Sequence, residues 1–213
     1  MMKISEAAKA RGIEYLVHFT RIENLPCIIN QNGGLKSRAL LHTNGISYIF
    51  NDEQRLDGFE NSISLSVTFP NYRMFYKYRQ IYGNYCVILL NAEKIFSNLN
   101  LAFHRTNAAS SEVRDIPIEQ RKTLAAFNSM FYEPLEYSRS MRGLNDNEAT
   151  DPQAEILCFD SIPLDYFEKI IFPGYRTLQA NAPLFEDSGI LCEVDSNYFA
   201  PRHDWNFWKG ANY

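Results

Sequence analysis

Residues 62–69, Ser-Ile-Ser-Leu-Ser-Val-Thr-Phe, alternate hydroxyl and apolar side chains, which is the period of a β-strand with one face buried. Residues 85–90, Tyr-Cys-Val-Ile-Leu-Leu, lack such alternation and predict a strand buried on both faces. Further strands are predicted over 13–19, 155–159 and 169–172. Helices are predicted over 4–11, 72–79 and 118–132, with a short helix or turn over 91–95. Thr20 and Glu23 have capping-box spacing for a helix over 22–31, which Gly33 and Gly34 would end. Pro26 lies past the first turn of such a helix, so the start shifts towards Asn24 through one irregular turn. The stretches 39–61 and 98–114 are polar and aperiodic, and the tail from 198 onward is aromatic and irregular. Short strands, long loops and few helices predict an α+β fold around a partly antiparallel sheet rather than a doubly wound one.

The chain has 213 residues with no repeat and no Pro/Gly/Ser linker, so a single domain over 1–213 is expected. The formal charge of -4 excludes a uniformly basic nucleic-acid binder but allows a local basic groove. Cys27, Cys86, Cys158 and Cys192 sit singly in apolar surroundings, as reduced core residues of a cytoplasmic protein do. The N-terminus lacks an apolar run of signal-peptide length, and no stretch approaches a membrane span.

The chain contains no G-x-G-x-x-G turn and no G-x-x-x-x-G-K-[ST] phosphate loop, so any nucleotide must be held in another way. H-E-x-x-H, paired cysteines and a G-x-S-x-G elbow are also absent, and His18, His42, His104 and His203 are scattered. No metal is expected.

Two segments depart from this background. Between Asn61 and Ala92 there is no acidic residue, yet Arg73, Lys77 and Arg79 are interleaved with Tyr72, Phe75, Tyr76 and Tyr78. Cations that neutralise phosphate, set among rings on which bases stack, are what a single-stranded nucleic-acid surface requires; an amphipathic helix with inward rings is the ordinary alternative. The tail adds Arg202, His203, Trp205, Phe207, Trp208 and Lys209. The second segment is Asp151-Pro-Gln-Ala-Glu-Ile-Leu-Cys-Phe159, where Glu155 is the only acid of an apolar strand. A charge placed there costs free energy unless it has partners, or it lies on a solvated edge. The preceding loop, residues 137–150, offers Arg139, Arg142, Asn145 and Asn147 as donors to base edges or phosphates, and its composition predicts mobility.

Several motifs in consistent order resemble the DarT toxins, enzymes that transfer ADP-ribose from NAD to a base in single-stranded DNA. Val17-His-Phe-Thr-Arg-Ile-Glu-Asn-Leu25 is similar to the family's H-[FYI]-T and I-[DE]-N-L motif. Residues 46–55 resemble the segment ending in its catalytic arginine, and 64–74 its central strand and Pro-x-x-x-Met turn. Gln153-Ala-Glu-Ile-Leu157 is similar to its Q-A-E-[FVI]-L strand, and Arg202-His-Asp-Trp205 to its terminal R-x-D-W.

The resemblance implies an ADP-ribosyltransferase fold, a split mixed sheet with flanking helices that clasps NAD without a Rossmann turn. It implies Glu155 and Arg55 as catalytic residues. His18, Thr20, Asn24, Met74 and Tyr72 would contact NAD, and Arg73, Tyr76, Lys77, Arg79, Arg139 and Arg142 would contact DNA. A macrodomain antitoxin of the DarG type is the implied partner. The helix over 72–79 resembles the guanine-directed branch more than the thymine-directed one. Transfer to RNA or protein, or a non-catalytic single-stranded nucleic-acid-binding module, are the competing readings.

Overall fold

The computed structural model describes residues 2–50 and 55–208. Seven strands form one sheet in the order β5-β6-β3-β1-β4-β8-β9, and all neighbours are antiparallel except β8 and β9. The strands are β1 Tyr15–Arg21, β3 Ile63–Val67, β4 Tyr85–Asn91, β5 Leu101–His104, β6 Glu155–Cys158, β8 Phe167–Phe172 and β9 Leu191–Val194. A two-stranded ladder pairs β2 Gly34–Leu35 with β7 Ile162–Pro163. Gly34 is required there: a Cβ at this position, where φ is +137°, would lie 2.1 Å from the Ile162 carbonyl oxygen.

The all-apolar β4 lies between two clusters, as its sequence predicts. Cys86, Ile88 and Leu90 pack in the main core with Leu16 and Leu65, while Tyr85, Val87 and Leu89 pack with Val17 and Phe75 on the opposite face. Phe75 belongs to α3, Tyr72–Tyr82, whose first turn is capped by the Asn71 side chain accepting from the Met74 amide at 3.2 Å.

The pairing of β1 with β3 creates the functional geometry. Only Leu16↔Val67 and Val17↔Ser66 are in register, whereas β1 pairs with β4 over seven residues. Beyond Val17 the two strands splay, and a cleft opens between His18 and Phe19 on one side and Ser64 and Leu65 on the other. The predicted split mixed sheet is therefore present.

Several local expectations are corrected. Residues 22–31 form a 3-10 turn, Ile22–Asn24, and a π-helical segment, Cys27–Gln31, instead of one capped α-helix. Pro26 removes a donor, and the Thr20 hydroxyl that would have capped the helix is bound to Tyr48 and Asn24. The stretch called aperiodic around 39 contains a short helix, α2 Arg38–Thr43, and the one around 98–114 contains β5. Elements of six and four residues are too short to display a period. The predicted helix over 118–132 is two pieces, α5 Ile118–Arg121 and α6 Leu124–Ser129, because the Thr123 hydroxyl accepts from Ala126 at 3.2 Å and begins a new helix. β9, unpredicted, is half exposed at the sheet edge. Lys209 and residues 51–54 lie outside the described residues.

Candidate active site

Glu155 opens β6 and faces the cleft, directly across from His104 of β5. Its Oε2 accepts from the Ala108 amide at 2.9 Å, and the Ser64 side chain of β3 lies beside the same carboxylate. Burial holds this carboxyl above its ordinary range; the Ser64 hydroxyl, the Ala108 amide and the nearby Arg55 charge pull the other way without cancelling it. A half-buried acid so held can exchange a proton nearer neutrality than a solvated glutamate can.

Arg55 also lines the cleft, near enough for its charge to act on Glu155. Its Nε and Nη2 donate to the two Asp57 oxygens at 3.0 and 2.7 Å, and Nη2 also reaches the Ser62 hydroxyl at 2.9 Å. This bidentate arrangement fixes the plane of the guanidinium beside the cleft. Burial raises the Asp57 carboxyl, but the hydrogen bonds and charge of Arg55 and the Phe59 amide outweigh it and leave Asp57 below the usual range.

His18 lines the cleft from β1. Its Nδ1 donates to the Ser64 carbonyl at 3.0 Å, which assigns the proton to Nδ1 and leaves Nε2 as an acceptor. Burial lowers its pKa against the opposing effect of that bond, so the ring is neutral at physiological pH. Met74 also lines the cleft, carried there by the Asn71-capped turn, and Tyr78 stands one turn further along α3.

Thr20 and Asn24 are displaced from the role expected of them. Both are buried behind the cleft wall. The Thr20 hydroxyl pairs with the Tyr48 phenol at 2.9 Å and receives Asn24 Nδ2 at 3.1 Å, while Asn24 also exchanges bonds with the Ile49 carbonyl and amide at 2.9 Å each. Their geometry holds the segment carrying Tyr48, a cleft residue that the sequence reading missed. Lys36 and Arg38, which also line the cleft, were missed as well. A signal existed, since they are the only Lys or Arg between Arg21 and Arg55.

Tyr72 is also not on the cleft wall. It is buried at the start of α3 near Asp204 and Arg202, and its phenol is pushed up to about 12, chiefly by burial and then by the Asp204 charge.

Of the expected DNA contacts, Tyr76 and Lys77 are exposed on α3 and Arg73 is partly so. Arg79 donates to the Phe199 carbonyl and lies over the Phe75 and Phe199 rings at 5.4 and 5.3 Å. Arg139 bonds the Thr150 hydroxyl at 2.6 Å and the Asn145 and Glu148 carbonyls at 2.7 and 2.9 Å. Arg142 bonds the Tyr137 and Glu136 carbonyls, both at 2.8 Å. These three guanidinium groups brace their own surroundings, which corrects the picture of free donors.

The loop preceding β6 is correspondingly well tied. Thr68, at a φ of 60° that a β-branched residue rarely adopts, donates to the Asn147 carbonyl at 2.6 Å. Arg202 and Asp204 form a buried bidentate pair, with both bonds at 2.7 Å. Arg202 also donates to the Ala149 and Thr150 carbonyls at 2.8 and 3.1 Å. Asp204 accepts from the indole of Trp208 at 2.8 Å. Arg202, held by Asp204, therefore clamps the end of the loop that leads into β6.

Comparison with known proteins gives a consistent result. A family model described as "DarT: ssDNA thymidine ADP-ribosyltransferase, DarT" matches residues 17–197. The fold is similar to that of Thermus sp. 2.9 DarT in complex with NAD+, with a TM-score of 0.58 and 14% identity, over 88% of this chain and 98% of that one. The same Thermus protein in complex with ADP-ribosylated ssDNA gives a TM-score of 0.56 at 13% identity, over 89% of this chain and 97% of that one. Thermosipho africanus DarTG in complex with ADP-ribose gives 0.57 at 14% identity, over 87% of this chain but about half, 51%, of that one. No curated protein sequence matches the chain. A family match across most of the sequence, on a fold whose sheet splits around a carboxylate, an arginine and a neutral histidine, places this chain in the DarT family of enzymes that ADP-ribosylate single-stranded DNA.

Proposed function

We propose that the cleft binds NAD and that Glu155 and Arg55 carry out transfer of its ADP-ribose to a base in single-stranded DNA, with release of nicotinamide. The observation that carries this reading is the Glu155 carboxylate, desolvated at a strand end yet held by the Ala108 amide at 2.9 Å beside Arg55. The bond from the ribose carbon to nicotinamide breaks with its electron pair leaving on the nicotinamide nitrogen, and the ribose becomes oxocarbenium-like. The Glu155 carboxylate stabilises that positive charge and takes the proton released when a base nitrogen bonds to the ribose carbon. Arg55, its plane fixed by Asp57, holds the incoming base and phosphate oxygens. His18 Nε2 accepts a hydrogen bond from a ribose hydroxyl or the nicotinamide amide. Met74 borders the nicotinamide, and the cleft-lining cations Lys36 and Arg38 suit the diphosphate. Exposed Tyr76 and Lys77, with Arg73, offer the incoming strand a ring and two charges.

The aromatic make-up of α3 favours guanine as the modified base, whereas the family description names thymidine. The activity fits a toxin whose partner is a macrodomain antitoxin that removes ADP-ribose, and the resemblance to a DarTG protein supports that pairing. Purified protein is to be incubated with labelled NAD and, separately, single-stranded oligonucleotides containing one base type each, RNA and protein. Label on guanine-only DNA bears out the full reading, and label on thymine-only DNA corrects the base alone. Label on RNA or protein but not DNA replaces the substrate. DNA binding without any label leaves a non-catalytic module.

A further inference from the structure

Arg121 is 4% exposed, and no ion pair among the described residues includes it. Burying a guanidinium without a carboxylate in contact is unfavourable unless other acceptors compensate. Its donors are distributed in an informative way. Nη1 donates to His104 Nε2 at 3.0 Å, Nε to the Ile116 carbonyl at 2.6 Å, and Nη2 to the Arg114 carbonyl at 2.5 Å. His104 sits at the start of the loop 105–117, and Arg114 and Ile116 sit at its end, so one side chain ties both ends together. That loop supplies the Ala108 amide bound to the Glu155 carboxylate, and its Asn107 and Ala109 line the cleft.

The same chain of bonds reaches Glu155 by a second route. His104 is 1% exposed and lies opposite Glu155 in the β5–β6 ladder. Because Arg121 can only donate, His104 Nε2 is an acceptor, and Nδ1 therefore carries the proton it donates to the Glu155 main-chain carbonyl at 3.2 Å. Burial, and then the Arg121 charge, push the ring down to about 4, so it stays neutral and in this tautomer throughout the physiological range.

We infer that Arg121 and His104 are positioning residues for Glu155, fixing its main chain from behind and its carboxylate through the loop that ends in Arg121's grip. The inference rests on the reading of Glu155 as the acid/base group. The charged and polar groups that face Glu155 are Arg55 and Asp57 on one wall, Ser64 from β3 and the Ala108 amide from the loop, with neutral His104 and Arg121 behind. Loosening the loop withdraws the Ala108 bond and leaves desolvation less opposed. The carboxylate then becomes harder to ionise while the NAD contacts from β1 and α3 are unchanged.

The experiment compares Arg121→Met, His104→Gln and Glu155→Gln in the full chain, measuring kcat for DNA modification, NAD affinity, thermal stability and the pH profile of kcat. Methionine fills the site without the charge, and glutamine can both donate and accept in place of the imidazole. Arg121→Met is expected to lower kcat about tenfold or more, in the range for a displaced acid/base group, with NAD affinity within about twofold and the acid limb moved to higher pH. His104→Gln is expected to retain more of the rate than Arg121→Met. An unchanged kcat and acid limb in Arg121→Met, or a loss matched by the unfolded fraction with the acid limb unmoved, overturns the inference. Glu155→Gln separates the two levels: if it stays active, the reading of the site falls, and if it is inactive while Arg121→Met behaves as wild type, only the positioning role falls.

Discussion

His18 and His104 have the same ring, are both held in cleft-adjacent strands, and both donate from Nδ1 to a main-chain carbonyl of the next strand, Ser64 for one and Glu155 for the other. They differ at the second nitrogen. His18 Nε2 has no hydrogen-bond partner among the described residues and its ring lines the cleft, whereas His104 Nε2 is saturated by Arg121. The same local bond therefore yields a cleft-facing acceptor at the split between β1 and β3 and a structural brace where β5 and β6 stay paired. What separates them is the sheet: where strands diverge an edge is left open to the cleft, and where they remain in register the ring is enclosed.

The largest effect expected concerns the strand that His104 braces. Glu155→Gln should reduce transfer at least about a hundredfold while preserving NAD affinity, since the carboxylate acts on the transition state. Oligonucleotide modification and NAD titration measure this; a retained rate would remove the asymmetry on which the comparison rests. The same variant should melt a few degrees higher near neutral pH. The folded chain holds the Glu155 proton more tightly than the unfolded chain, so ionisation costs stability above the folded pKa and nothing below the unfolded one. The gain should therefore shrink as pH falls through that window.

Replacing the histidines by alanine should separate them. His104→Ala leaves a buried guanidinium donor and a strand carbonyl unpaired, and about 3 kcal/mol of stability should be lost in denaturant unfolding. His18→Ala should cost far less stability and instead weaken NAD binding about tenfold, as expected for one directional bond to a ligand. If NAD affinity followed His104 and stability followed His18, the comparison would be inverted.

Acidity gives a finer distinction. Because burial depresses the His18 pKa below 6.5, NAD affinity should be flat from pH 8 through the ordinary histidine range and decline only below it, when Nε2 becomes protonated and ceases to accept. A decline centred on 6.5 in an isothermal titration series would show a solvated ring. The smallest effect is expected at Arg142: its donors are bound to the Tyr137 and Glu136 carbonyls, so Arg142→Ala should change the salt dependence of DNA binding little, while charge reversal at Lys77 should reduce its slope.

The alternation over 62–69 and the apolar run over 85–90 determined β3 and β4, because a strand buried on one or both faces must show that pattern whatever surrounds it. The order of motifs along the chain was likewise enough to identify the family. Tertiary structure decided which side chains reach the cleft. Thr20 and Asn24 are within two helical turns of His18 in sequence, yet they turn behind the wall to hold Tyr48, and Lys36 and Arg38 arrive from a segment whose short elements leave no periodic trace. Arg139 and Arg142 looked like donors for DNA because sequence records a guanidinium but not the backbone carbonyls that a folded loop brings within its reach. Periodicity is a local property and survives in the chain itself; the partner of a polar group is chosen across distances such as the 46 residues from His18 to Ser64, and that choice exists only once the sheet has closed.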